Sequence, residues 1–524
     1  MIDPITLEVL RHALAGVAEE MNGSLVRSAY SPNIKERRDC SSAVFTPRGE
    51  LVAQAESIPV HLGAMPFSVR AALAAVAEWA EGDVVVLNDP YLGGAHLPDV
   101  TFVAPAFAEG KLLGFVSCRA HHADIGGAAP GSVSPAARDI FGEGLRIPPV
   151  RLWRGGALDE DLRKLLLLNV RTPEERWGDL RAQRAACAVG IARLQELASR
   201  YGADLLREGM EAVLDYSERR TRAALEGLPK GEGAFEDHLD DDGAASGPLP
   251  IRVRVELWGD WVRVDFAGSA PQTAGPVNAV FAVTASAVYF CVRALTDPTI
   301  PPNDGCTRPI EILAPEGTIV NARPPAPVVG GNLETSQRIV DAVLGACAQL
   351  VPDRVPAASQ GTMNNVAIGG VDPRTGRAYT LYETIGGGSG ARPDGDGVDG
   401  VHTGMTNTLN TPVEALELAY PLRVERYELL PGTGGRGRFR GGWGIRRDLT
   451  PLKHTARVSL LTDRRRTRPY GLRGGEPGSP GQNVLIRDGE EIALPGKGEL
   501  DLRPGESLSI RTPGGGGYGP PQGG

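Results

Sequence analysis

At 524 residues, with 41% hydrophobic and 23% charged side chains, the chain has material for about two to four domains and is too apolar for global disorder. A net charge of −9 and a pI near 5.6 argue against nucleic acid as the main partner, and no apolar run is long enough to span a bilayer. Six scattered cysteines without a Cys-x-x-Cys pair fit reduced thiols, and MIDPITLEVL opens with an acid and a proline in place of a basic, apolar signal, so a cytoplasmic protein is expected.

Asp3-Pro4 reads as a cap and first-turn proline, and Leu7, Leu10, Leu14, Val17 and Met21 then mark one buried helix face. From Arg37 to Gln54 the pattern changes to alternation, with Pro47-Arg48-Gly49 as a hairpin turn. Arg38-Asp39-Cys40-Ser41 just before it suits local turn chemistry. Cys40 has no histidine beside it and reads as a small buried residue, not a nucleophile. His61 opens an alanine-rich helix to Trp79, where a structural place at the helix start is expected, with a supporting donor to the site as the alternative.

Asn88 to Gly127 holds three of the eight histidines, His96, His121 and His122, together with Asp89, Asp99 and Asp124. Pro98 between His96 and Asp99 rules out a helix interior, so a loop displays the two side chains. Val100 to Ala120 reads as two strands joined at Glu109-Gly110, a hairpin that returns His121 or His122 to Asp99. Two imidazoles and a carboxylate converging from loop ends suit an open divalent-metal site, although histidines beside glycines also serve as plain surface or hydrogen-bonding residues. On a strand the two histidines point oppositely, so only one can face the metal.

After His122 a Gly/Ser/Pro-rich stretch to Pro149 predicts a long loop, a lid or a partner-binding segment, with Arg138, Glu143 and Arg146 on it. Residues 173–228 predict two helices broken near Tyr201-Gly202. The acidic run Glu236–Gly243 is expected to be a solvated turn, and 251–266 a hairpin about Gly259-Asp260. Gly330-Gly331-Asn332-Leu333-Glu334 precedes a helix, a start whose amides either hold an anion or are capped; Asn332, Glu334 and Arg338 are candidate substrate contacts. Residues 382–410 are nearly devoid of apolar side chains and bring His402 as a further candidate contact. GGGSG and GTGGRGRFRGGWG lack the Lys and Ser/Thr of a phosphate-binding loop. Past Arg423 short strands dominate, and the final PGGGGYGPPQGG reads as a flexible tail. The fold class is α+β, a multi-domain mixed α/β core with a β-rich C-terminal domain; the expected boundaries are 1–230, 231–422, 423–512 and a tail at 513–524.

DPITLEVLRHAL, ERRDCSSAVFTPRGELVAQ, NDPYLGGAHLPDV, VDFAGSAPQTAGPVNA, GGNLETSQRIVDAV and GTGGRGRFRGGWG, in that order, resemble the hydantoinase B/oxoprolinase family over residues 2 to 450. The resemblance implies a B-type subunit of an ATP-dependent enzyme that opens cyclic amides, with ATP held by an A-type partner in a hetero-oligomer. It also implies, as an alternative, a subunit of an ATP-dependent ketone carboxylase; a non-catalytic scaffold for the A-type subunit is the competing reading from a different class. By the same resemblance a divalent ion (Zn, Mn or Fe) falls on His96, Asp99 and His121, and Asp39, His122 and Asp124 are the catalytic candidates.

Overall fold

Residues Cys40–Phe45, Leu51–Gln54, Val84–Leu87, Asp99–Ala108, Lys111–His121, Val150–Arg154 and Ala157–Leu158 form strands β1 to β7. In the computed structural model, which describes residues 2–55 and 57–521, they build one antiparallel sheet in the order β2-β1-β5-β4-β3-β6-β7. Glu109 and Gly110 join β4 to β5 with positive φ at both (52° and 72°), the turn whose twist matches that of the strands it connects.

Six helices surround this sheet: α1 (Pro4–Ser28), α2 (Pro32–Lys35), α3 (Pro59–Ala75), α4 (Glu160–Leu168), α5 (Pro173–Tyr201) and α6 (Ala203–Glu226). Strand alternation sends Ala43, Phe45, Val103 and Phe115 to one face, where Met65 and Val69 of α3 cover them. Val44, Phe102, Val116 and Cys118 go to the other face, against α1 and α5. Asp3 caps α1 as its sequence predicts, accepting from the amides of Ile5 and Thr6 at 3.0 Å. Gly202, at φ 89°, breaks α5 from α6 where Tyr201-Gly202 was expected to.

A second sheet of four strands, Gly231–Leu239, Leu249–Trp258, Trp261–Asp265 and Ile310–Leu313, packs beneath helices α7 (Phe281–Leu295) and α8 (Ser336–Cys347). The rest of the chain forms a four-stranded and a five-stranded sheet around a separate core that includes Ile368, Leu381, Leu422, Leu449, Val458 and Leu508. Strand Asn365–Val371 pairs with Ala456–Leu461, so the four-stranded sheet crosses the boundary expected at 422/423. The fold is α+β.

Three segments differ from their sequence reading. The acidic run is not a solvated turn: Asp237 pairs with Arg464 at 2.6 Å, Asp240 accepts from the Arg466 and Thr467 amides, and Asp242 from three successive amides. The glycines at 514–519 are buried and not a flexible tail. Gly515 donates to Gly442, Gly516 to Ala358 and Gly517 to Glu476. A Cβ on Gly515 would stand 1.9 Å from the Ser389 carbonyl oxygen, so bare backbone is a requirement there. The Gly-rich segments near 388, 441, 475 and 515 thus pack on one another by main chain, which accounts for their composition without a bound phosphate.

The long loop after His122 is tied down. Arg146 pairs with Asp89 at 2.7 Å, and the fully buried Glu143 accepts from the Val329 amide at 2.9 Å with one carboxylate oxygen while the other has no partner. Burial pushes the Glu143 carboxyl up from 4.5 to about 8. Its folded form therefore binds a proton that the unfolded form releases, so its contribution to stability is present below pH 4.5 and lost as pH rises through about 8. Glu143→Gln, measured by urea denaturation across that window, is expected to gain stability relative to the wild type as pH rises.

Candidate active site

The site lies where three neighbouring strand ends meet. β1, β5 and β4 are adjacent, and at one edge of the sheet β1 begins, β5 ends and β4 begins. Asp99, first in β4, is in register with His121, last in β5, and the His121 amide donates to the Asp39 carbonyl at 3.0 Å. His96 sits in the turn before β4, its carbonyl accepting from the Asp99 amide at 3.1 Å. Pro98 breaks the chain so that His96 folds back over Asp99.

His96, Asp99 and His121 are buried, and each offers a ligand-type atom within 4.8 Å of the others. His96 Nε2 is 3.1 Å from Asp99 Oδ1, and the two imidazole rings are 5.0 Å apart. Beyond the contacts of Asp99 Oδ1 with His96 and His61, the atoms His96 Nδ1, Asp99 Oδ2 and His121 Nε2 have no hydrogen-bond partner among the described residues. Leaving a polar group unpaired in the interior costs about 1–3 kcal/mol, so three at one point is an expensive arrangement for packing alone. Atoms bound at about 2.1 Å to one ion lie roughly 3 Å apart, so this donor set fits a divalent metal. Burial pushes the His121 imidazole well below its usual range, and so keeps it neutral and able to donate a lone pair. Burial opposes the charge on Asp99, but His61 and His96 beside it prevail and hold its carboxyl well below the usual range.

His61, in the first turn of α3, takes the alternative its sequence left open and stands at the site in addition to starting the helix. Its Nε2 is 3.2 Å from Asp99 Oδ1 and 3.7 Å from Asp39 Oδ1. Burial raises the Asp39 carboxyl, against the pull of Arg37 and His61. A cavity of about 20 Å³ is lined by Asp39, His61 and His121, and also by Asn332, Tyr382, Thr384, Thr406 and Thr408. That is the volume of one water. The Tyr382 ring stacks on His121 at 4.2 Å, and its hydroxyl donates to Asn365, whose amide in turn donates to Glu334 at 2.8 Å.

The sequence candidates thus divide. Asn332 reaches the cavity from a π-turn at Gly331–Thr335, its Oδ1 buried and unpaired. Glu334 stands one layer behind, burial pushing its carboxyl to about 7. His402 is also behind the wall, 3.4 Å from Thr408 Oγ1. His122 turns away, as alternation demands: its Nε2 donates to Gln183 of α5 at 2.9 Å. Asp124 binds the Arg171 amide and guanidinium at 3.0 and 2.8 Å and clasps a loop. Arg338 serves Asp463 and Asp237 at 3.0 and 3.3 Å. These three are not at the cavity.

Arg37 is the hub that the sequence reading missed. Fully buried, it donates to Asn33, to the Tyr382 and Leu409 carbonyls and to Thr384, and lies 3.8 Å from Asp39. Asn33 in turn donates to the His121 carbonyl at 2.6 Å. Arg37→Leu is expected to cost about 3 kcal/mol or more by orphaning these acceptors and lowering the melting temperature, with Arg37→Lys recovering only part because it lacks the planar fork.

The whole chain, residues 3–521, matches the family model described as hydantoinase B/oxoprolinase. An uncharacterised protein of Methanocaldococcus jannaschii is 43% identical over 99% of this chain and 91% of its own. 5-Oxoprolinase 1 of Arabidopsis thaliana is 38% identical over 99% of this chain, which spans 42% of that protein's length. The caprolactamase subunit beta of Pseudomonas jessenii is 36% identical, covering 99% of this chain and 91% of that one. The crystal structure of the ATP-dependent caprolactamase from that organism superposes with a TM-score of 0.93 at 34% identity, over 99% of this chain and 91% of its own. A nucleotide-free acetone carboxylase superposes at 0.92 with 18% identity, over 99% and 76%, a likeness of fold. The chain belongs to the hydantoinase B/oxoprolinase family.

Proposed function

We propose that this chain is the B-type subunit of an ATP-dependent cyclic amidohydrolase, in which an A-type partner phosphorylates the amide carbonyl and this chain opens the ring. The observation that carries the reading is the buried cluster of His96, Asp99 and His121, whose ligand-type atoms lie within 4.8 Å of one another, beside a cavity lined by His121, Asp39 and His61. A scaffold has no use for three unpaired groups at one point. His96, Asp99 and His121 would hold the divalent ion, which when bound lowers the pKa of a water and polarises a carbonyl. Asp39, with its carboxyl raised by burial, and His61 are then the groups placed to take the proton of the attacking water and return it to the ring nitrogen. Asn332 and the threonine hydroxyls at 384, 406 and 408 are left to orient the substrate.

The partner is argued from the relatives. One is a beta subunit by name, and in 5-oxoprolinase 1 this chain corresponds to 42% of a longer polypeptide. The ketone-carboxylase alternative has only fold likeness in its favour. Among the described residues no helix is long and apolar enough to cross a membrane.

The test is ATP-dependent ring opening of hydantoin, 5-oxoproline and caprolactam by the chain assembled with its A-type partner. Turnover of at least one is expected, with Asp99→Ala reducing it by more than about 100-fold while the complex stays assembled. Undiminished turnover in Asp99→Ala would refute the mechanism, and ATP-dependent carboxylation of a ketone without ring opening would favour the alternative.

A further inference from the structure

Two cavities lie back to back across the first turn of α3. Ile58, Val60 and His61 face the inner cavity, while Ser57, Pro59 and Leu62 line a surface pocket of about 320 Å³. The inner space, about 20 Å³, admits a water but not a five-membered ring. The outer one is at the small end of ligand pockets, which run from roughly 300 Å³ upward. Ring and reacting groups can therefore meet only if the partition moves.

That partition is loosely held. Ile58 starts α3 with no side-chain cap. Apart from His61, 3.2 Å from Asp99, the bonds that tie the turn to its surroundings are long among the described residues: Ile58 N to Ser41 Oγ 3.4 Å, Val60 N to Met405 O 3.3 Å, Asn407 Nδ2 to Ser57 O 3.3 Å and Ser286 Oγ to Val60 O 3.4 Å. Well-made bonds of this kind cluster at about 2.9–3.0 Å. Beyond the first turn, Gly63 fixes α3 against α7, where a Cβ would stand 2.6 Å from Ser286, so movement is confined to the turn itself.

The outer pocket also has a charge preference. Asp304 on its wall is engaged by the Leu51 amide at 3.0 Å and by Arg70 at 3.4 Å. Arg293, from α7, donates Nη1 to the Ile300 carbonyl at 3.1 Å and approaches Cys306 Sγ at 3.9 Å, neither of which cancels its charge.

We propose that this pocket is the vestibule of the enzyme, that it collects a small cyclic amide bearing a carboxylate through Arg293, and that the first turn of α3 is the gate to the inner cavity. The proposal rests on the ring-opening reading above. Its test uses two probes of the same ring, 5-oxoproline and the uncharged 2-pyrrolidone, and two variants of the partnered enzyme, Arg293→Gln and Thr307→Trp; the latter puts a bulky side chain on the pocket's lining. Isothermal titration, which needs no turnover, is expected to show 5-oxoproline binding at least tenfold weaker to Arg293→Gln with 2-pyrrolidone unchanged. Thr307→Trp is expected to weaken both tenfold or more. Wild-type affinities in both variants, or no binding of either probe to the wild type, would overturn the vestibule. Wild-type kcat/KM for ring opening in Thr307→Trp would also overturn it while leaving the ring-opening reading standing; a wild type that binds the probes but opens neither them nor hydantoin nor caprolactam would remove that reading alone.

Discussion

The pairing of Asp99 with His121 across two antiparallel strands is the constraint on which the rest depends. Side chains alternate along a strand, so a slip of one residue would put His122 in the place of His121 and turn the site inside out. The register is held by a tight turn at the far end, Glu109-Gly110, and by the apolar faces it sorts: Phe115 must meet α3 and Cys118 must meet α5. The same alternation gives His122 its separate work, donating to Gln183, whose amide donates to the Val100 carbonyl and ties α5 to the start of β4. One hydrophobic pattern thus places a ligand-type histidine on one side and its support on the other.

Around that point the structure pays for buried polarity with a layered network. Arg37 gathers carbonyls from residues 382 and 409, far apart in sequence, and so clamps the polar loop 384–411 over the strand ends. Asn365 links the Tyr382 hydroxyl to Glu334, fixing the ring that lies flat on His121. The π-turn bearing Asn332 is anchored in turn by Glu143, which joins the long loop to the Val329 amide. The interleaved glycine segments let loops from residues 388, 441 and 515 approach within main-chain contact and build a rigid wall from a composition that would otherwise be flexible.

Much of this was legible in the sequence because its causes are local. Pro98 between His96 and Asp99, the Glu109-Gly110 turn, the helix break at Gly202 and the cap at Asp3 each act within a few residues, and each lies where the pattern placed it. What was not legible depends on partners distant in the chain. Asp124 reads as a catalytic acid beside two histidines until Arg171 arrives to take it, and Arg338 reads as a substrate contact until Asp463 and Asp237 do. His61 was legible only as a lesser alternative for the converse reason: its helix start explained it locally, and nothing nearby announced Asp99. The terminal glycines read as a flexible tail because their partners, Ala358, Gly442 and Glu476, lie elsewhere in the chain.

The central claim is that His96, Asp99 and His121 are poised for an ion. Metal content of the purified wild type, determined by mass spectrometry beside the His96→Ala/Asp99→Ala double variant, tests it most directly. Close to one equivalent of a divalent ion in the wild type and its loss in a folded variant is the result expected. A folded wild type without metal, or a variant that retains the same amount, would contradict the account.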